Sequence, residues 1–179
     1  MRAMFCVSLA ALSACASTGT TTSGPASQSI AVDGMPGRLT MSPTSSANST
    51  SITGSLEQVW RALPAAFDSV GIPVTQVDPV RHIIGNPGFK LRQRLGKVSL
   101  SRYIDCGTTQ VGPNADSYDV YVTALIQLQP GSGGTTTVTT TFEALARPIA
   151  FSQDYSRCSS RGSIETRLLA AVKSQLAVK

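Results

Sequence analysis

The sequence predicts an α+β fold, in which an antiparallel sheet of about four to six strands carries two helices on one face. Three patterns favour this fold. Apolar residues recur at helical spacing around Trp60, alternate with polar residues over 118–146, and return to helical spacing from Ile164. Helices at both ends of a run of antiparallel strands can both cover its apolar face and leave the other face in water.

The first helix is predicted to begin after Ser55 and to end at Gly71. Ser55 and Gln58 form a capping-box pattern, in which the serine side chain accepts a hydrogen bond from the first turn and the glutamine side chain reaches back. Gly71 is a suitable C-terminal cap, and Pro64 should kink the helix near Trp60. The apolar face of this helix comprises Leu56, Val59, Trp60, Leu63, Phe67 and Val70.

Strands are predicted from here to the second helix. Residues 72–77 and 81–85 flank the turn-like pair Asp78-Pro79 and predict a short hairpin. A further strand is indicated by Val98, Leu100 and Ile104. Alternation over 118–129, a glycine-rich turn and renewed alternation over 135–146 predict a long hairpin.

The C-terminal helix should begin within residues 159–163. Its apolar spacing runs through Ile164, Leu168, Val172 and Leu176. The two helices and the long hairpin together predict a core that contains Trp60, Phe67, Val120, Ile126, Val138, Phe142 and Leu168.

The N-terminal segment carries a targeting pattern. Arg2 precedes a short apolar run, which ends in the tetrapeptide Leu12-Ser13-Ala14-Cys15. The run is too short to span a bilayer as a helix, and the tetrapeptide resembles a bacterial lipobox. The resemblance implies a signal peptide over residues 1–14, acylation of Cys15 and a lipid anchor in the cell envelope. No aspartate follows the cysteine, which favours the periplasmic face of the outer membrane. The alternatives are an ordinary signal with an incidental Cys15, and an apolar helix of a cytosolic protein.

The tether and the folded domain differ in composition. Residues 15–50 are rich in Ser, Thr, Gly, Ala and Pro, as in a tether that cannot bury enough apolar surface to order itself. Within it, residues 30–32 and 38–41 flank a turn-like segment and could form a small hairpin on the domain. Residues 51–179 have the size of one small domain and show no internal repeat.

Four cysteines can be sorted once export is accepted. Cys6 leaves with the signal peptide and Cys15 is acylated, so Cys106 and Cys158 remain and should form one disulfide. The alternatives, a cysteine nucleophile or a pair of metal ligands, lack a CxxC motif and a second histidine besides His82.

The order of elements carries a second resemblance. A Leu-Ser-Ala-Cys signal, a low-complexity tether and a Trp60-bearing helix followed by Gly71-Ile72-Pro73-Val74 resemble the helix-grip domains of BamC-type outer-membrane lipoproteins. The similarity covers residues 51–179 as an order of elements. This chain shows one such domain rather than two, and adds a cysteine pair. The resemblance implies a non-catalytic interaction module or an accessory of envelope assembly.

One cluster of charges stands above the background of a mildly basic chain, which has 15 Lys and Arg against 10 Asp and Glu. The cluster comprises Lys90, Arg92, Arg94, Lys97 and Arg102, with no acidic residue between them. Such a patch could bind anionic lipid headgroups, lipopolysaccharide or an acidic envelope protein. The alternative is a solvated, mobile loop. The export signal and the lack of a readout motif argue against nucleic acid.

No catalytic site, metal site or cofactor is predicted. His82 lies in an apolar strand without a nucleophile signature, and is interpreted as a structural histidine. A second function class is a binder of a small apolar or lipid ligand, held in a cavity between the helices and the sheet. Its lining would be Trp60, Phe67, Tyr118, Phe142 and Phe151, which are also candidates for an ordinary core.

Overall fold

An antiparallel sheet and two helices make up most of the part of the chain that a computed structural model describes, which is residues 28–31, 38–41, 48–150 and 152–177. This is the α+β class that the sequence predicts. The predicted signal peptide with Cys6, the acylation site Cys15, most of the tether and Phe151 lie outside the described residues.

The elements follow one another along the chain as β1 Gln28–Ala31, β2 Arg38–Met41, β3 Asn48–Thr53, α1 Leu56–Val70, β4 Gln76–Asp78, β5 Ile83–Arg92, β6 Arg94–Leu95, β7 Val98–Ser99, β8 Ile104–Asp105, β9 Thr108–Thr109, β10 Gly112–Pro113, β11 Asp119–Pro130, β12 Thr135–Arg147, β13 Ser156–Ser160 and α2 Ser163–Ala177. Two short 3-10 turns, Leu100–Arg102 and Asn114–Asp116, lie between β7 and β11.

The sheet is built around the long hairpin of β11 and β12. Its strands are ordered β7-β6-β5-β11-β12-β13-β8, with β3 on the other part of β12 and β4 on β5. Only β3, β5, β11, β12 and β13 have five or more residues, and the rest of the sheet consists of two- or three-residue strands. The sheet therefore has more strands than predicted, because short pairings extend it at both edges. It also begins at Asn48, within the predicted tether.

Two further hairpins stand apart from this sheet. β1 pairs with β2, for example Ile30 with Leu39, so the small hairpin predicted upstream of the domain is present. β9 pairs with β10 in a second hairpin, which the sequence analysis did not predict.

Helix α1 has the ends that the sequence predicts. The Ser55 hydroxyl accepts from the Gln58 backbone, and the Gln58 side chain accepts from the Ser55 backbone, which completes the capping box. Gly71 ends the helix in the left-handed conformation, with φ of 82°. Pro64 lies inside the helix.

One continuous apolar core unites both helices with the sheet. Its residues on β11 are all even-numbered and therefore share one side of that strand: Val120, Val122, Ala124, Ile126 and Leu128. The two helices also pack against each other. Of the seven predicted core residues, six are buried, whereas Trp60 is half-buried with its ring edge-on to His82, 5.5 Å between centroids.

The strand predicted around Leu100 is broken. Leu100, Tyr103 and Ile104 are all buried, a spacing that suits a helical turn rather than a strand. The Leu100 N–H donates to the Gln93 carbonyl and the Tyr103 N–H to the Leu100 carbonyl, so local hydrogen bonds replace a continuous ladder. The result is β7, a 3-10 turn and β8 in place of one strand.

The face of the sheet opposite the core is less exposed to solvent than the alternation of apolar and polar residues predicts. Leu125 is only 1% exposed although it lies opposite the core side of β11, and Thr123 and Thr141 are also buried. A bulge in β5 accompanies this region, since the pairing of β5 with β11 shifts between Val122 and Ala124. Gly85 has φ of 146° there, and a Cβ on it would lie 2.1 Å from the Ala124 carbonyl oxygen.

A disulfide joins the end of β8 to β13. The sulfur atoms of Cys106 and Cys158 are 2.04 Å apart and their Cα atoms 4.3 Å apart. Next to the bridge, Ser159 pairs with Asp105, while Cys158 itself pairs with Ala144 of β12. The bond therefore fastens a two-residue strand to the main sheet across 52 residues of sequence.

We expect the double variant Cys106→Ser, Cys158→Ser to lose up to about 4 kcal/mol of unfolding free energy, because the crosslink restricts the unfolded chain by closing a long loop. Both cysteines are replaced so that no lone thiol remains. Denaturant unfolding of the oxidised wild type, the reduced wild type and the double variant measures the effect. The latter two should agree, and a double variant as stable as the oxidised wild type would contradict the stabilising role of the bridge.

Candidate anion-binding surface

The five predicted basic residues lie on structured chain, at the end of the sheet where β5 stops and β11 begins. Lys90 and Arg92 belong to β5, Arg94 begins β6, Lys97 lies in the turn before β7, and Arg102 ends the 3-10 turn. All five are exposed, while Leu95 and Leu100 anchor the same segment in the core. The backbone of the segment is thus a hydrogen-bonded part of the domain, whereas its charged side chains are exposed to solvent.

Asp119 neutralises part of this cluster. The Lys90 Nζ lies 2.6 Å from Asp119 Oδ2, and the Arg92 Nε and Nη2 donate to Asp119 Oδ1 over 2.9 and 2.8 Å. The Asp119 side chain is only 8% exposed. Its pKa is lowered by the hydrogen bonds from Lys90 and then Arg92, against a raising effect of burial. Lys90 and Arg92 are therefore held in ion pairs.

The turn between β6 and β7 carries the next two cations. Arg94 pairs with Ser99 through the backbone, and Lys97 follows Gly96, whose φ is 61°. Within the described residues, neither side chain has an ion-pair partner. We call residues 94–99 the basic hairpin. Both side chains are exposed.

Arg102 belongs to a different surface feature, a groove of about 660 Å³ beside the start of α2. We call it the arginine groove; it is lined by Val98, Ser101, Arg102, Tyr103, Pro113, Arg161, Ser163 and Arg167. No carboxylate is among these lining residues. Val98 of the basic hairpin forms one wall, so the groove and the hairpin adjoin.

Two of the groove arginines are held in place. The Arg167 guanidinium lies 5.6 Å from the centre of the Tyr103 ring, and its Nη1 donates to the Tyr103 hydroxyl. The Arg161 Nη2 lies 3.0 Å from Asp105 Oδ2, and the Arg161 N–H donates to the Tyr103 carbonyl over 2.8 Å. Tyr103 thus links the two arginines.

The hydroxyl groups of the groove are also positioned. The Ser163 hydroxyl donates to the Arg102 carbonyl over 2.9 Å, which ties the first residue of α2 to the 3-10 turn. The Asp116 carboxylate accepts from both the Ser101 N–H and the Ser101 hydroxyl, at 2.9 and 2.6 Å. Arg102 has no ion-pair partner among the residues described.

Arg102 is one of the predicted basic residues of this surface, whereas Arg161 and Arg167 were not predicted. They lie far along the chain, and no local pattern connects them to the basic segment. The one available signal is the cysteine pair, because a bond between Cys106 and Cys158 brings the residues on either side of both cysteines together.

The remaining candidate residue, His82, has a structural role. The prediction that His82 lies in a strand is wrong: it lies in the turn before β5, with φ of 51°. It contacts Trp60, and its carbonyl accepts a hydrogen bond from the Leu128 N–H. In the described ranges, no group of three or more His, Cys, Asp or Glu residues is arranged to hold a metal ion. No helix there is long and apolar enough to cross a membrane.

The aromatic residues predicted to line an apolar cavity belong to the core or pack against it, apart from Phe151, which lies outside the described residues. Phe67 and Phe142 are buried in the common core, and Tyr118 and Trp60 pack against it.

Compared with known proteins, the chain matches no family model and no curated protein sequence.

We expect Asp119→Asn to lower the unfolding free energy by about 1 kcal/mol at neutral pH, since two cations lose a charged acceptor. The native pKa of Asp119 is lowered, so its contribution is complete above the unfolded-state pKa of about 3.9 and is lost as pH falls toward the native value. The gap between wild type and variant should therefore close in acid.

Denaturant unfolding between about pH 7 and pH 2.5 checks this dependence. Asp154→Asn is the matched control, because Asp154 is exposed and has no ion pair within the described residues. A gap for Asp119→Asn that stays constant over this range would show that the carboxylate charge contributes nothing to stability.

Proposed function

We propose that this protein is a lipid-anchored, non-catalytic module of the cell envelope, which uses its basic end to bind an anionic partner on the periplasmic side of the outer membrane. The observation that carries the proposal is the group of exposed cations without ion-pair partners among the described residues, Arg94, Lys97 and Arg102. Exposed charges of one sign at one end of a domain attract and orient a partner of the opposite sign.

Two features support the envelope location. The tetrapeptide Leu12-Ser13-Ala14-Cys15 resembles a lipobox, and acylation with two or more chains gives stable membrane attachment. The disulfide between Cys106 and Cys158 suits an oxidising compartment such as the periplasm. The order of elements, which resembles the helix-grip domains of BamC-type lipoproteins, supports an interaction role.

A lipid anchor would also strengthen weak electrostatic binding. It would keep the domain near a charged surface, where each basic residue contributes about 1 kcal/mol within a Debye length of about 8 Å at physiological salt. The basic hairpin and the arginine groove adjoin, so one approach to such a surface can engage both.

We expect Cys15→Ala to abolish acylation, because the thiol is the group that receives lipid in the lipobox pattern. The variant should appear as a soluble exported protein or remain unprocessed. Membrane fractionation with intact-mass measurement of wild type and variant checks this. A wild type that remains in the membrane fraction without any acyl mass would overturn the proposed anchor.

We expect Arg94→Gln with Lys97→Gln to weaken binding to anionic vesicles by about thirty-fold at low salt, since two contributions of about 1 kcal/mol are lost. The measurement is vesicle sedimentation with unlipidated Cys15→Ala protein, so that acyl chains do not dominate. Lys90 and Arg92 are left in place, because their removal would strand Asp119.

The matched control for this pair is Arg61→Gln with Lys173→Gln, which removes the same charge from exposed positions on the two helices. It should reduce binding far less. Equal loss in both double variants would assign the binding to net charge rather than to the basic hairpin.

A further inference from the structure

The arginine groove differs from the rest of the basic surface because three arginines, Arg102, Arg161 and Arg167, lie in its lining and no carboxylate does. The hydroxyl protons of Ser101 and Ser163 are already donated, to Asp116 and to the Arg102 carbonyl. The carboxylates of the adjoining elements are also engaged: Asp105 pairs with Arg161, and Glu165 in the first turn of α2 accepts from Ser160.

Two of the three arginines make contacts within the domain that orient their side chains. Arg167 contacts the ring and hydroxyl of Tyr103, and the Arg161 guanidinium forms a half-exposed ion pair with Asp105. Planar guanidinium groups that are held in place lose little freedom on binding and can donate two parallel hydrogen bonds to a phosphate. The binding energy is therefore not spent on ordering the side chains.

Helix α2 begins at the groove, since its first residue, Ser163, lies in the lining. The positive dipole end of this fifteen-residue helix is partly offset by the buried Glu165 in its first turn, so the arginines supply most of the positive charge. Together these groups suit an anion with more than one charge, and a phosphate monoester carries close to two at neutral pH.

The groove is larger than a bare phosphate requires. Its volume of about 660 Å³ lies within the range of small-molecule sites, and Val98 and Pro113 offer apolar contact beside the charged groups. A phosphate that carries an organic group fits this combination better than an inorganic ion.

We propose that the arginine groove binds the phosphomonoester headgroup of an anionic lipid. The inference rests on the proposed function in that it names the chemistry of the anionic partner, and it assigns to this groove a recognition role distinct from the general attraction of the basic hairpin. The hairpin attracts any anionic surface, and the groove selects the monoester.

Binding of glycerol 3-phosphate tests the groove directly, with glycerol and inorganic phosphate as comparison ligands. The full lipoprotein in a non-ionic detergent is titrated by calorimetry, and amide shifts of Gly162 and Ser163 locate the site by NMR. We expect glycerol 3-phosphate to bind and to shift these amides, inorganic phosphate to bind more weakly, and glycerol not to bind. Equal binding of glycerol, or shifts confined to other regions, would overturn the proposal.

Three variants test the chemistry of recognition. Arg102→Gln should weaken glycerol 3-phosphate binding about tenfold without affecting the fold, because the side chain is exposed and has no ion pair in the described structure. Arg167→Lys keeps the charge but loses the planar fork above Tyr103, and should weaken binding by a similar factor. Arg61→Gln is the control and should bind as the wild type does. Wild-type affinity in Arg167→Lys would show that only charge matters, and would overturn the assigned geometry.

Binding to vesicles shows whether the groove recognises a lipid headgroup or only a soluble phosphate. It also tests this inference separately from the proposed function. Unlipidated Cys15→Ala protein is compared on vesicles of equal charge that contain phosphatidic acid, a monoester, or phosphatidylglycerol, a diester. Tighter binding to phosphatidic acid that Arg102→Gln abolishes supports the headgroup assignment. Equal binding to both lipids overturns that assignment while leaving the attraction of the basic hairpin intact. Binding of glycerol 3-phosphate by a protein that ignores both vesicles would overturn the lipid assignment and the membrane-surface role together.

Discussion

The bond between Cys106 and Cys158 is the constraint on which the basic end of the molecule depends. The strand β8 has two residues, too few to hold a stable place by its own ladder, and only Ile104 of the pair is buried. The disulfide, the pairing of Ser159 with Asp105 and the contact of Arg161 with Tyr103 secure it instead. β13 is paired with β12, and α2 begins shortly after it, so the crosslink brings the segment that carries Arg102 beside Arg161 and Arg167.

Asp119 divides the cations of this end into two groups with different roles. Lys90 and Arg92 share the buried carboxylate and hold the end of β5 to the beginning of β11. Arg94, Lys97 and Arg102 have no such partner in the described part of the chain, and remain available to an external anion. The sequence alone does not show which cations are paired, because Asp119 is distant from them in sequence and lies on the neighbouring strand β11.

Local periodicity predicted most of the fold, whereas contacts between distant segments were predicted poorly. The capping box at Ser55, the long hairpin and the C-terminal helix each have a signal within a few consecutive residues, and all three are present. Strand β13 has no such signal, because only Cys158 of its five residues is buried. The break at Leu100 was not predicted, because Leu100 and Ile104 fit the alternation of a strand as well as a helical turn. The burial of Tyr103 between them is what distinguishes the turn. Only part of the candidate site was predicted. Arg102 was predicted, whereas Arg161 and Arg167 are far from it in sequence and lie beside it in the fold, where the disulfide joins the two segments.

Amide hydrogen exchange of the oxidised and reduced protein tests most directly whether the disulfide holds the arginine groove together. The Arg161 N–H donates to the Tyr103 carbonyl, whereas the amides of β11 and β12 are bonded within the central hairpin. On reduction, we expect a large loss of protection at Arg161 and at the first turn of α2, while β11 and β12 keep their protection. Unchanged protection at Arg161 after complete reduction would contradict this expectation.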